Sequence, residues 1–242
     1  WFSPIGEMTK QWSAMSRYTF ESDNFSMWQY LDIHSNVSSQ LFRSPGVFND
    51  AAHKNGVLTA AYYFIDWASS VTSTSDAGKP LYELSKKENG KFKYAKKLIQ
   101  LMKYYGIDGM AFNPEGYFSS DLNTQFQEFL AECHRIAEEE ENWHFHVDWY
   151  GYVSNSGNLT DGGSTLTANH SNWFHNDALN YPVTDVYFLN YNWSEGSLQT
   201  SVNVAKSKKR SPFDVYAGFD QQGRGYGGWG NGGWGVLSKY PV

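Results

Sequence analysis

Short apolar runs alternate along the chain with segments whose apolar positions recur at helical spacing. The runs predict strands near 27–34, 57–66, 107–113, 143–150, 184–190 and 213–220, and the tail of another at 1–6. Helical segments fall between them. Val47, Phe48, Ala51 and Ala52 form one face of a short helix that Pro45 opens and Asn55-Gly56 closes. Phe92, Ala95, Leu98, Ile99, Met102 and Tyr105 repeat that pattern over 92–105. The clearest stripe is Phe126, Phe129, Leu130, Cys133, Ile136 and Ala137 within 123–140, which makes Cys133 a core thiol. Glu138 to Glu141 after it read as a solvated terminus. Ser194 starts a helix to about Lys208, and Lys206 to Arg210 read as its solvated end. Residues 68–90 and the polar stretch after Gly151 read as long loops, the latter of a length that often carries function.

Strand then helix, with strands that are continuous apolar runs, means a parallel sheet covered on both faces. Seven strands in this rhythm predict an α/β chain folded as a (β/α)8 TIM barrel. The eighth strand is then missing, because the chain stops at Pro241-Val242 where it would begin. The expectation is one barrel domain over residues 1–242, a fragment of a longer protein, since an open barrel exposes its edges. An open doubly wound sheet is the alternative. No Gly-x-Gly-x-x-Gly follows an early strand, which argues against a nucleotide.

One strand carries more than the others. Met110-Ala111-Phe112 runs into Asn113-Pro114-Glu115-Gly116. Side chains two apart share a face, so Asn113 and Glu115 aim at one spot beyond the strand end. A lone Asn-x-Glu is most often an ordinary polar loop. Here the ends of neighbouring strands do the same: Asp66-Trp67, Asp148 and Tyr150, Asn190 and Trp193, Asp220 and Gln222. Active sites of such barrels lie at the carboxyl ends of the strands.

Composition narrows the ligand. Aromatics reach 18% against 18% charged residues, a balance that suits neutral sugar rings stacked on aromatic faces. A net charge of −6 argues against nucleic acid or anionic membrane as partner, and no membrane-spanning run is present. Cys133 is the single cysteine, which excludes an internal disulfide and a cysteine metal site. Seven histidines show no convincing zinc-ligand pair; His144 and His146 lie along one strand. No metal and no cofactor are expected, and a monomer is. The expected compartment is secreted, cell-surface or periplasmic, with the cytoplasm as alternative.

Two glycosidase chemistries fit. A carboxylate pair needs a second acid near Glu115, for which Asp66, Asp148 and Asp220 are available. Substrate assistance needs one acid and one polar group that orients a 2-acetamido sugar, whose own carbonyl oxygen attacks C1. Asp108-Gly109-Met110-Ala111-Phe112-Asn113-Pro114-Glu115 resembles the Asn-x-Glu catalytic strand of the glycoside hydrolase family 85 endo-β-N-acetylglucosaminidases. Trp28-Gln29-Tyr30-Leu31-Asp32, the turn from Asn49 to Val57, Asp148-Trp149-Tyr150, Leu189 to Trp193, and Asp214 to Asp220 with Gly223-Arg224-Gly225 match in order. The resemblance covers about residues 27–242. It implies hydrolysis of the GlcNAc-β1,4-GlcNAc core of N-glycans, with N-linked glycans as partners. In that reading Glu115 is the acid and then the base, Asn113 holds the acetamide, and Tyr150 hydrogen-bonds near the reacting centre. Trp67, Asn190, Trp193, Asp220 and Arg224 would line the sugar subsites. Pro114 between the catalytic pair, and the segment His34 to Ser38, depart from the family pattern. A chitinase-like hydrolase and a non-catalytic glycan-binding barrel are the rival readings.

Overall fold

The computed structural model describes residues 26–36, 44–220 and 233–242. Six strands form one sheet in sequence order. They are β1 (Ile33–Asn36), β2 (Leu58–Ile65), β3 (Gly109–Pro114), β4 (His146–Tyr150), β5 (Val186–Leu189) and β6 (Val215–Ala217). Every neighbouring pair is parallel. Helices α1 (Gly46–Lys54), α2 (Ala95–Tyr105), α3 (Ser120–Arg135) and α4 (Glu195–Ser207) lie in the crossovers.

The sheet curls. Ile33, Ala60, Tyr62, Ala111 and Val186 join in one cluster with Phe64 and Tyr216 packed against it. Residues from five strands meet there, which requires a concave face. The alternate positions, among them Tyr63, Phe112, Trp149 and Tyr187, pack outward with the helices in the main core. This is a (β/α) barrel whose described strands form its curled half. Gly109 shows how close β3 and β4 come: a Cβ there would sit 1.9 Å from the His146 carbonyl oxygen.

The stripe along α3 and the π-helical turn that continues it (Ile136–Glu140) is buried throughout, from Phe126 to Ala137. Full burial of such side chains contributes about 1.5–3 kcal/mol each. Cys133 lies inside it, and burial pushes its thiol well above the ordinary value, so it is inert as a nucleophile. On α2, Ala95, Leu98, Ile99 and Met102 are buried, but Tyr105 is exposed. Phe92 precedes that helix on a two-residue ribbon with Lys87–Glu88 and packs on Phe129 at 5.5 Å.

Several expectations are corrected. The strand expected at 27–34 begins only at Ile33, because Trp28–Tyr30 form a 3-10 turn with Met27 and Tyr30 exposed. On α1, Phe48 and Ala52 face inward whereas Val47 is exposed. The acidic run after α3 is solvent-exposed as expected, and it is also ion-paired: Arg135 binds Glu132, Glu139 and Glu140, and Lys96 binds Glu140. Arg210, by contrast, is not a solvated charge. Its guanidinium lies 4.4 Å from the Phe174 ring and donates to the carbonyls of Phe174, Thr184 and Asp185. The expected strand at 1–6 and the aromatic loop after Gly223 up to residue 232 lie outside the described residues.

Candidate active site

Register fixes which side chains share a level inside the barrel. Phe64 pairs with Asn113, and Tyr150 with Phe188, which pairs with Tyr216. Phe112 pairs with Trp149, so Asn113 and Tyr150 come one step later on adjacent strands, at the same height. Glu115 stands one alternation further toward the carboxyl end. One level below lie Tyr62, Ala111, Asp148 and Val186.

Pro114 does not disturb this strand end. It closes β3 opposite Ile65. Glu115 N–H donates to the Ile65 carbonyl at 3.1 Å, and Glu115 carbonyl accepts from Ala68 N–H at 2.8 Å. Ala68 takes a left-handed φ of 56°, which turns the chain sharply after Trp67. Beyond the turn, Ser70–Val71 pair with Tyr117–Phe118 as a short parallel ribbon. The Glu115 backbone is thus clamped on both sides.

Burial pushes the Glu115 carboxyl above its ordinary value, the nearby Asp66 charge adds to the rise, and a hydrogen bond from Asn113 opposes it. Asn113 stabilises the ionised form of Tyr62 as well as that of Glu115, which is the action of its N–H donors. Its carbonyl oxygen Oδ1 is buried and has no partner among the described residues. Such an acceptor costs about 1–3 kcal/mol until a donor arrives. Tyr150 is buried, and burial beside Tyr191 and Glu115 pushes its phenol far above the usual range. It stays a neutral donor, and its hydroxyl makes no hydrogen bond to a described residue.

Aromatic rings line the site. Tyr150 lies 5.2 Å from Tyr152, 5.6 Å from Phe188 and 6.3 Å from Tyr191. Trp67 meets Tyr152 edge-on at 5.3 Å and is 59% exposed, so a face remains for a ligand. The loop after β4 is packed down by Trp173, which stacks on Trp149 at 3.8 Å. Tyr152, in the same loop, is held by the Asn190 amide, which donates to its hydroxyl at 3.0 Å, and by the Tyr150 and Trp67 rings.

Among the residues singled out from sequence, Glu115, Asn113, Tyr150 and Trp67 come together. Asn190 is buried and spends its amide on the Tyr152 hydroxyl, the Gly162 carbonyl and the Tyr191 N–H, so it braces the wall. Trp193 is buried too: its N–H donates to the Gly218 carbonyl at 2.8 Å and its ring packs on Phe219. It supports the wall from behind. Asp220 is half-buried at the end of the β6 segment, and Arg224 lies outside the described residues. Tyr62, Tyr152 and Tyr191 were missed. Alternation along β2 from Ala60 gives Tyr62 the inward face, and Tyr152 keeps the spacing of Tyr150, so both signals were present.

Residues 7–239 match the family model for glycosyl hydrolase family 85. The cytosolic endo-beta-N-acetylglucosaminidase of Danio rerio is 29% identical over 202 residues, 83% of this chain and 26% of that protein. Cytosolic endo-beta-N-acetylglucosaminidase 2 of Arabidopsis thaliana is 29% identical over 206 residues, 84% of this chain and 26% of that protein. Among solved structures, the glycoside hydrolase domain of Endo-D from Streptococcus pneumoniae R6 superposes with a TM-score of 0.69 at 26% identity, over 82% of this chain and 30% of that one. The chain therefore spans about a quarter of the length of the curated relatives it matches.

Proposed function

Because the chain belongs to glycosyl hydrolase family 85, we propose that it carries the catalytic centre of an endo-β-N-acetylglucosaminidase acting on the GlcNAc-β1,4-GlcNAc core of N-glycans. The observation that carries the reading is the Asn113–Glu115 pair: a carboxyl held toward its protonated form beside a buried carbonyl oxygen that has no donor among the described residues. A 2-acetamido group supplies that donor. Asn113 Oδ1 accepts the acetamide N–H, which makes the acetamide oxygen a better nucleophile toward C1. Glu115 gives its proton to the glycosidic oxygen as that C1–O bond breaks and the acetamide oxygen bonds to C1, leaving an oxazolinium ion whose N–H stays hydrogen-bonded to Asn113 Oδ1. The resulting Glu115 carboxylate takes a proton from water as the water oxygen attacks C1; the ring C1–O bond breaks, the acetamide re-forms, and two inversions at C1 retain the configuration. Tyr150 donates its hydroxyl to the sugar at the reacting centre. Trp67 and Tyr152 offer faces to the sugar rings.

Asp66 supports a runner-up. Its charge reaches Glu115, so a carboxylate pair with Asp66 as nucleophile is the competing mechanism. The relatives are named cytosolic, which supports the cytoplasmic alternative for this chain over secretion.

Mass spectrometry of a high-mannose glycopeptide tests the reading on the protein, its Glu115→Gln and its Asp66→Asn variants. Peptide plus one GlcNAc from the protein and from D66N, but not from E115Q, is expected. Loss in D66N to the level of E115Q would favour the carboxylate pair. Binding without cleavage by the unaltered protein would make the barrel a glycan-binding module, and cleavage of chitin oligomers alone would make it chitinase-like.

A further inference from the structure

At the amino-terminal end of β4 and β5, away from Glu115, three histidine–carboxylate contacts gather. His134 Nε2 lies 2.9 Å from Asp185 Oδ2, His144 Nε2 lies 3.1 Å from Asp185 Oδ1, and His146 Nε2 lies 2.8 Å from Asp148 Oδ1. His146 opens β4 and so stands about 13 Å along the strand from Tyr150. From the sequence, His144 and His146 were set aside as two residues on one strand. The structure adds a third group from the neighbouring one.

We propose that His144, His146 and Asp185 bind a divalent transition-metal ion, with Zn2+ the best match, that ties the start of β4 to the start of β5. One donor atom from each lies within 4.8 Å of the others. Donors on a tetrahedral Zn2+ stand about 3.3 Å apart. The longest separation must therefore close by at most about 1.5 Å, and His144, whose side chain is 55% exposed, is free to supply that movement. The other two are already oriented. Asp148, fully buried, holds His146 Nε2 and leaves Nδ1 for the metal. His134 and the Val147 N–H both engage Asp185 Oδ2 and leave Oδ1. Outer partners that fix the ring and carboxylate orientation are the usual support of a metal centre. Two imidazoles and one carboxylate suit Zn2+ and its neighbours and are poor ligands for Mg2+ or Ca2+, which take oxygen. His144 is exposed, so the cluster is open to solvent on that side. The ion is a structural tie, and no catalytic step passes through it.

The test is calorimetric titration of the untagged protein with ZnCl2, paired with thermal denaturation. One equivalent is expected to bind. At 100 times Kd it should raise Tm by about 5–10 °C, while MgCl2 leaves Tm unchanged. His144→Ala should weaken Zn2+ binding at least tenfold while the metal-free protein keeps its Tm within a few degrees. His53→Ala removes an ordinary histidine–aspartate pair elsewhere, with Asp108 at 2.7 Å, and should leave binding intact. If ZnCl2 moves neither heat nor Tm, or if H144A binds as tightly as the unaltered protein, the cluster is only a set of ion pairs and the proposal fails. Should H144A unfold, His144→Gln keeps a polar side chain without the imidazole and reads the same difference.

Discussion

Replacing Tyr150 with Phe separates packing from chemistry at one atom. The ring is 4% exposed and touches Tyr152, Phe188 and Tyr191. Those contacts survive in Tyr150→Phe, and the lost hydroxyl makes no hydrogen bond to a described residue. Stability should therefore change by no more than about 0.5 kcal/mol, a Tm shift within about 2 °C. If the hydroxyl serves the reacting sugar, its loss removes one hydrogen bond to a polarised group, about 1.5–3 kcal/mol. That converts to a fall in kcat/KM of about 10- to 150-fold. Tyr150→Ala differs: it deletes the ring and should cost about 3–5 kcal/mol, lowering Tm by about 10 °C. The assay is initial-rate release of glycan from a labelled high-mannose glycopeptide, beside thermal denaturation of each variant. Full activity in Y150F with a large fall in Tm would refute the reasoning, because Tyr150 would then be a packing residue with a satisfied hydroxyl.

Further outcomes follow from other groups. Asp66→Asn removes a charge that raises Glu115, so the alkaline limb of the kcat/KM profile should move to lower pH; an unmoved limb would show that burial alone sets this acid. His34 is lowered to about 4 by burial, against an unfolded value near 6.5, and stacks on Phe48 at 4.9 Å. Between those pH values the unfolded chain binds the extra proton. Stability is thus complete above about 6.5 and falls by about 3 kcal/mol as pH drops toward 4, a slope that denaturant melts should show and His34→Phe should flatten. Gly109→Ala places a methyl against the His146 carbonyl and should prevent β3 and β4 from pairing, read as loss of soluble protein or a melt more than about 3 kcal/mol weaker. Trp173→Phe shrinks the partner of Trp149 in the loop after β4; a fall in Tm together with a raised KM is expected, since Tyr152 rides on that loop.

Periodicity alone determined the strand–helix rhythm, the buried stripe of α3 and the inward pairing of Asn113 with Glu115. Each depends on side-chain direction within one element, and a period of 3.6 or 2 encodes that direction locally. The family was legible for a related reason: its motifs are contiguous stretches at strand ends. Tertiary structure decided the rest. Trp193 and Asn190 turned from sugar-facing candidates into braces, because their polar atoms meet the Gly218 and Gly162 carbonyls from distant loops. Arg210, at the end of a charged run, became a partly buried clamp only once Phe174, Thr184 and Asp185 surrounded it. The rise in Glu115 comes from burial and from Asp66, just past the end of the neighbouring β2. Asp185 reaches His144 and His134 across strand and helix. Burial and inter-strand distance are sums over residues far apart in the chain, and no local period carries them.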